Sequence, residues 1–211
     1  MRIVIRKQPL RRILRWTQIA LLAGAAAMLS WCGFVLMDTW TFQRSERRQL
    51  ERLLAGRQQT KGVATPTAAS VMLAPPAVTQ GLFGRLSIPR LGLSAIVVEG
   101  ASNANLRRAA GHIAGTALPG GPGNVGISGH RDTFFRPLRS IRLGDTITLT
   151  TPLGEYRYRV VSTKVVAPND VTVLDPGHLE ILTLVTCYPF YFIGPAPNRF
   201  IVRAERVGNI S

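Results

Sequence analysis

The chain has 211 residues with 26 Lys and Arg against 11 Asp and Glu, a formal net charge of +15, and 46% of it is hydrophobic. That hydrophobic share excludes a mainly disordered chain, and two cysteines exclude a disulfide-stapled fold. The charge alone would suit nucleic acid, but it is scattered, 12 bases to 3 acids in residues 1–80 and 14 to 8 in 81–211, so no nucleic-acid partner is expected.

Residues 1–15 hold six bases (Arg2, Arg6, Lys7, Arg11, Arg12, Arg15) and no acid. Residues 16–37 follow without a charge until Asp38, with Trp16 and Trp40 at the two ends. At about 1.5 Å per residue such a run spans a hydrocarbon core of about 30 Å. Aromatic ends and a basic leading flank predict a membrane helix with residues 1–15 in the cytoplasm and the rest outside. A cleaved signal peptide is the alternative, but its apolar region is shorter, roughly 7–15 residues. Bulky Trp31 ahead of Cys32 argues against a lipid-modified cysteine, so the expectation is an uncleaved signal anchor in contact with membrane lipid.

Residues 38–80 read as a linker outside the membrane. Its part 43–61 is polar and proline-free, predicting a helix that continues outward; 62–80 is rich in Ala, Thr, Val and Pro, an extended spacer. Residues 81–211 are long enough for one core. Apolar or alternating runs predict strands over 82–88, 95–98, 124–128, 147–149, 156–160, 162–166, 181–186 and 200–205. Thr151-Pro-Leu-Gly154 reads as a hairpin turn. One helix is expected over 103–110, capped by Ser102 and stopped by Gly111. The fold class is therefore mainly β, a single closed barrel of seven or eight strands with one or two short helices, preceded by a transmembrane helix.

Three residue types could carry chemistry. Cys187 closes the run Ile181-Leu-Thr-Leu-Val-Thr-Cys187 before Tyr188-Pro189, so the thiol sits where a strand exits. It is either a small buried hydrophobe or a nucleophile held rigidly at a surface. A nucleophile needs a proton acceptor or a cation nearby. Of three histidines, His112 follows the predicted helix and most simply caps its carbonyls, and His178 lies in the turn Asp175-Pro-Gly-His178. His130 ends Asn124-Val-Gly-Ile-Ser-Gly-His130, another strand exit, and is the best placed. Arg199 begins the run to Glu205; antiparallel pairing of that strand with the one ending at Cys187 would bring the two together. Arg203, four residues farther, reads as a solvated charge. Asp132 reads as a solvated loop carboxylate, and Thr186, on the other strand face from Cys187, as support for the strand. No metal-ligand cluster or cofactor motif is present, so none is expected.

These residues resemble the sortase family. Thr183-Leu-Val-Thr-Cys187 matches the signature Thr-Leu-x-Thr-Cys, and Gly129-His130-Arg131-Asp132-Thr133 matches the segment around the sortase histidine. Arg199 lies where sortases place their arginine, and the likeness covers nearly all of 82–207. Gly115-Thr-Ala-Leu-Pro119 and Cys187-Tyr-Pro-Phe190 are similar to class D.

The resemblance implies a membrane-bound cysteine transpeptidase with a β-barrel. In that reading Cys187 attacks a carbonyl in a Leu-Pro-x-Thr-Gly-like sorting motif near the C-terminus of a secreted protein and forms an acyl-thioester. His130 is general acid and then base, and Arg199 holds the oxyanion or the substrate backbone. The acceptor is an amine, of a peptidoglycan peptide in most of the family. Pilus-building members carry an acidic lid before the barrel and a second membrane helix after it. With no acid from Arg52 to Val98 and the sequence ending at Ser211, the expectation is protein anchoring rather than pilus polymerisation. Two rivals stay open: a thiol peptidase that gives the acyl group to water, and a non-catalytic, membrane-tethered domain that binds wall polymers.

Overall fold

The computed structural model describes residues 8–61, 81–192 and 194–208. Residues 1–7 and the whole of the predicted spacer, 62–80, lie outside these. Two compact units result, Met1–Thr41 and Phe42–Ser211.

The described residues of the first unit form one helix, the beginning of α1, Gln8–Lys61. Its apolar side chains, among them Trp16, Leu21, Met28 and Trp31, are exposed. Among the described residues this is the one helix long and apolar enough to cross a membrane. A helix apolar all round has no partner in water, which is the pattern of a membrane span.

In the second unit eight strands close into a barrel: β1 (Leu82–Ile88), β2 (Leu93–Glu99), β3 (Ala110–His112), β4 (Gly123–Ser128), β5 (Thr146–Thr151), β6 (Gly154–Val166), β7 (Glu180–Tyr188) and β8 (Asn198–Arg206). The order around it is β1-β2-β3-β4-β7-β8-β6-β5. The β2/β3 and β4/β7 pairs are parallel, the others antiparallel. Closure leaves no edge strand exposed. Period-2 patterning fills the interior: Tyr158 and Val160 point in while Arg157 and Arg159 stay out, and Leu182 and Leu184 of β7 meet Val125, Ile127 and Val202.

A smaller core lies outside the barrel wall. Leu50, with Phe42 and Leu54, packs on Leu82, Ile96, Val98 and Ala109. Burying a leucine of this kind contributes roughly 2 kcal/mol. Gln43 adds direction, its carbonyl accepting from the Ile96 amide at 3.1 Å while its amide donates to the Arg108 carbonyl at 2.6 Å.

Two expectations are corrected. The helix predicted over 103–110 is α2, Asn103–Leu106 alone; Ser102 caps it by accepting from the Asn105 amide. Ala110 and Gly111 are not helix end and stop but strand, because β3 pairs in parallel with β2. Gly111 is needed there: a Cβ would lie 2.6 Å from the Gly100 carbonyl oxygen. The runs 156–160 and 162–166 are one strand, β6, with a bulge between Val160 and Ser162 where it pairs with β8.

Candidate active site

The site is built at one end of the barrel by a single topological fact. Because β4 and β7 are parallel, both leave the barrel at the same end, and β8 returns antiparallel from it. The β4/β7 ladder ends at Ser128↔Val185 and is extended by the Gly129 amide donating to the Val185 carbonyl at 3.1 Å. Two residues on, the count reaches His130 on one strand exit and Cys187 on the other. On β7's other side Cys187 is the register partner of Arg199. The strands thus bring all three predicted site residues to one end, each half-buried.

Local packing fixes these positions. Thr186, buried on the opposite face from Cys187, donates its hydroxyl to the Gly129 carbonyl at 2.7 Å, tying the strand before the thiol to the residue before the imidazole. Gly129 must lack a side chain, since a Cβ would lie 2.8 Å from the Phe135 ring. Phe135 is itself fully buried and donates its amide to the His130 carbonyl at 3.1 Å, folding the chain back under the histidine. Deeper along β4, Asn124 accepts from Thr183 at 2.7 Å and donates to the Val173 carbonyl at 3.0 Å, pinning the β6–β7 connection.

The charged groups divide between free and committed. Neither the His130 imidazole nor the Cys187 thiol has a hydrogen-bond partner among the described residues, so both are available to a substrate. Among the described residues Arg199 uses only Nη1, donating at 3.3 and 3.1 Å to the Ala196 and Asn198 carbonyls. A guanidinium has five N–H groups, which leaves the rest for a developing negative charge. Asp132 has a 71% exposed side chain, 3.5 Å from Arg131 rather than on His130. Among the described residues no group of three His, Cys, Asp or Glu is placed to hold a metal.

Arg131 is the residue that sequence reasoning passed over. It is only 7% exposed. Its Nη1 donates to the Pro189 carbonyl at 3.0 Å, and its Nη2 to those of Phe192 at 2.6 Å and Gly194 at 3.0 Å. One side chain next to His130 therefore holds the loop that joins Cys187 to Arg199. The only signal in the sequence is its adjacency to His130.

Two other expectations change. His112 caps no helix; it lies in β3, 2% exposed, stacked on Phe83 with ring centroids 4.2 Å apart. Its Nδ1 is 2.9 Å from a Glu99 carboxylate oxygen and its Nε2 is 3.0 Å from the Thr116 hydroxyl. His178 is exposed in the β6–β7 connection. Arg203 is half-buried rather than a free surface charge and lines a cavity.

Comparison with known proteins gives one answer. The family model described as the sortase domain matches residues 86–207. Sortase D of Bacillus subtilis is 33% identical over 192 residues, 89% of this chain and 96% of that protein. A solved sortase D5 transpeptidase of Clostridium perfringens shares the fold, with a TM-score of 0.60 and 23% identity, over 80% of this chain and 97% of that one. Sortase A of Corynebacterium diphtheriae, solved as a lid mutant, has a TM-score of 0.58 and 28% identity over 77% of this chain and 95% of its own.

Proposed function

The chain belongs to the sortase family of cysteine transpeptidases, and from that premise we propose that it is a membrane-anchored enzyme that cleaves a Leu-Pro-x-Thr-Gly-like motif near the C-terminus of secreted proteins. The acyl part passes to Cys187 as a thioester and then to an amine of the cell envelope, a peptidoglycan peptide. The observation that carries this reading is the placement of Cys187 opposite Arg199 in one ladder, with His130 at the parallel strand's exit.

The Cys187 thiolate adds to the scissile carbonyl, and the free N–H groups of Arg199 hydrogen-bond the oxyanion, the kind of fixed donor that such charge requires. Collapse breaks the C–N bond as His130 gives its proton to the departing amine. The acceptor amine then adds to the thioester, His130 takes its proton, and the thiolate leaves. Because the two groups act as a pair, activity plotted against pH should be bell-shaped.

The apolar start of α1 supports anchoring, and six bases before it, without an acid, support a cytoplasmic N-terminus. The division into residues 1–15, 16–37, 38–80 and 81–211 belongs to the same proposal.

The test uses the full chain in detergent, as wild type and Cys187→Ala, with motif-bearing peptides and a range of amines, read by mass spectrometry. Cleavage with amine adducts from wild type alone is expected. Cleavage to free acid only, whatever the amine, would make it a thiol peptidase. Activity that survives Cys187→Ala would end the mechanism.

A further inference from the structure

Three connections meet at the end of the barrel that carries Cys187. The turn between α2 and β3 is one of them: Gly111 pairs with Ser128, so the residues before β3 lie beside the exit of β4. The β4–β5 connection and the β7–β8 loop are the other two. Arg107 and Arg108 are exposed on the first. On the second, Arg136 and Arg139 are exposed and stand three residues apart in a 3-10 helix, Arg136–Ser140, a spacing that puts them on one side of it. On the third, Tyr191 is 79% and Phe192 43% exposed. The Arg139 guanidinium lies over the Tyr191 ring, 5.6 Å from its centroid, so the second and third surfaces are continuous.

The charge of this rim is one-sided. The β4–β5 connection holds two acids; Asp145 is buried on Arg90, and Asp132 lies 3.5 Å from Arg131. Neither Arg136 nor Arg139 has a carboxylate partner among the described residues. Open aromatic rings beside arginines match the surface of an anionic bilayer, where rings settle at headgroup depth and basic side chains meet lipid phosphates.

The length of chain decides in favour of that partner. The apolar run 16–37 ends at Asp38, and Gln43 follows five residues later. Five residues reach at most about 18 Å when fully extended. Gln43 is tied to this same rim, its amide donating to the Arg108 carbonyl at 2.6 Å. The basic turn before β3 is therefore held by some of the first residues beyond the apolar run.

We propose that this rim is a membrane-docking surface: Tyr191 and Phe192 enter the headgroup layer, and Arg107, Arg108, Arg136 and Arg139 bind anionic lipid headgroups. The Cys187 end of the barrel then works at the bilayer surface. This rests on the reading of residues 16–37 as a membrane span, and not on the chemistry of the site.

The experiment uses the full-length protein in nanodiscs of phosphatidylcholine alone or mixed with phosphatidylglycerol, and in detergent. Amide hydrogen exchange is read by mass spectrometry over 103–109, 131–143 and 188–192, with β7 residues 181–186 as the internal reference for folding. In wild type the three rim segments exchange about fivefold or more slowly in anionic than in neutral discs, the effect of one arginine at an anionic surface. High salt brings that ratio toward one. In Arg136→Gln/Arg139→Gln the ratio falls over 131–143 and 188–192. In Tyr191→Ser/Phe192→Ser the segment 188–192 exchanges as fast in neutral discs as in detergent. Each ratio is taken within one protein, so a less stable variant does not imitate the result.

Equal exchange of the rim in both discs and in detergent, or protection that survives both variants, would overturn the docking surface while leaving the anchor standing. So would protection of the turn 151–154, at the opposite end of β6, in place of the rim. Protection by soluble dextran sulfate on neutral discs, with none from anionic lipid, would assign the rim to a wall polymer and overturn it too. A chain that does not enter the discs at all would overturn the membrane span, and the docking surface with it.

Discussion

Two histidines sit in comparable places, each in or just after a short strand of the same barrel, and their surroundings are opposite. His112 is buried, stacked on Phe83, and has neighbours at both ring nitrogens, Glu99 on one side and Thr116 and Ala117 on the other. His130 is half-buried, and its ring has no hydrogen-bond partner among the described residues. A polar group taken from water must find partners or cost the fold free energy. His112 has spent its hydrogen-bonding capacity on the fold; in the proposed function His130 keeps its own for a substrate. The difference separates a histidine that holds structure from one that can move protons, and mutation should break the two regions in different currencies.

The largest effect is expected at His130. His130→Ala should lower kcat by about 10²- to 10⁴-fold, the range for loss of a general acid–base group, or about 2.7–5.4 kcal/mol of transition-state stabilisation. Its thermal midpoint should stay within about 2 °C of wild type, because no side-chain bond is lost. A stability loss comparable to the rate loss would show that the ring is structural after all. His112→Ala should do the reverse. It leaves Glu99 and Thr116 without their partner and opens a void beside Phe83, costing about 2–4 kcal/mol. In a unit of this size that is a fall in midpoint of roughly 5–12 °C, with kcat per folded molecule near wild type. Thermal melts beside active-site titration of Cys187 would read both quantities on one sample.

The contrast also marks what the sequence could show. Strands β1, β4, β7 and β8 were legible as apolar runs, because their inward residues alternate with outward ones or are buried on both faces. The meeting of Cys187 and Arg199 followed from assuming a simple antiparallel return, which is the register found. β3 was not legible: Ala110-Gly-His112 has no period of its own and is a strand only because β2 and β4 flank it. Its loss took the end of α2 with it and left His112 assigned to a helix end. Arg131 was hidden for the same kind of reason. An arginine in a loop is ordinarily exposed, and the carbonyls that bury this one come from residues 58 to 63 positions away.

Arg131 therefore tests whether the proposed catalytic end is held together by that distant loop. Arg131→Met keeps the stem and removes three hydrogen bonds, so the loop from Pro189 to Gly194 loses its tie to the His130 segment. Misplacement of reacting groups by about 1 Å can cost about 10²-fold, and a fall in kcat of roughly 10- to 100-fold is expected, with a smaller change in KM. Rate per alkylatable Cys187 separates mispositioning from loss of folded protein. Arg131→Lys, a single point donor in place of a fork, should recover only part of the rate. Full recovery would mean that charge alone matters there.

The smallest effect belongs to a pair that touches neither histidine. Asp145 accepts from Arg90 Nε and Nη2 at 2.5 and 2.6 Å and from the Arg142 amide at 2.8 Å, joining the turn after β1 to the approach to β5. The Arg90 hydrogen bond, above all, holds the Asp145 carboxyl below the ordinary carboxylate range, although burial pushes the other way. The unfolded chain then binds this proton more readily than the folded one. The pair's contribution is complete above the unfolded pKa of about 3.9 and is lost as pH falls through the folded value. Denaturant midpoints taken from pH 7 down to pH 3 should fall on the acid side for wild type and fall less for Asp145→Asn, which starts lower at neutral pH. Parallel acid limbs in the two proteins would show that the pair adds nothing to stability over that range.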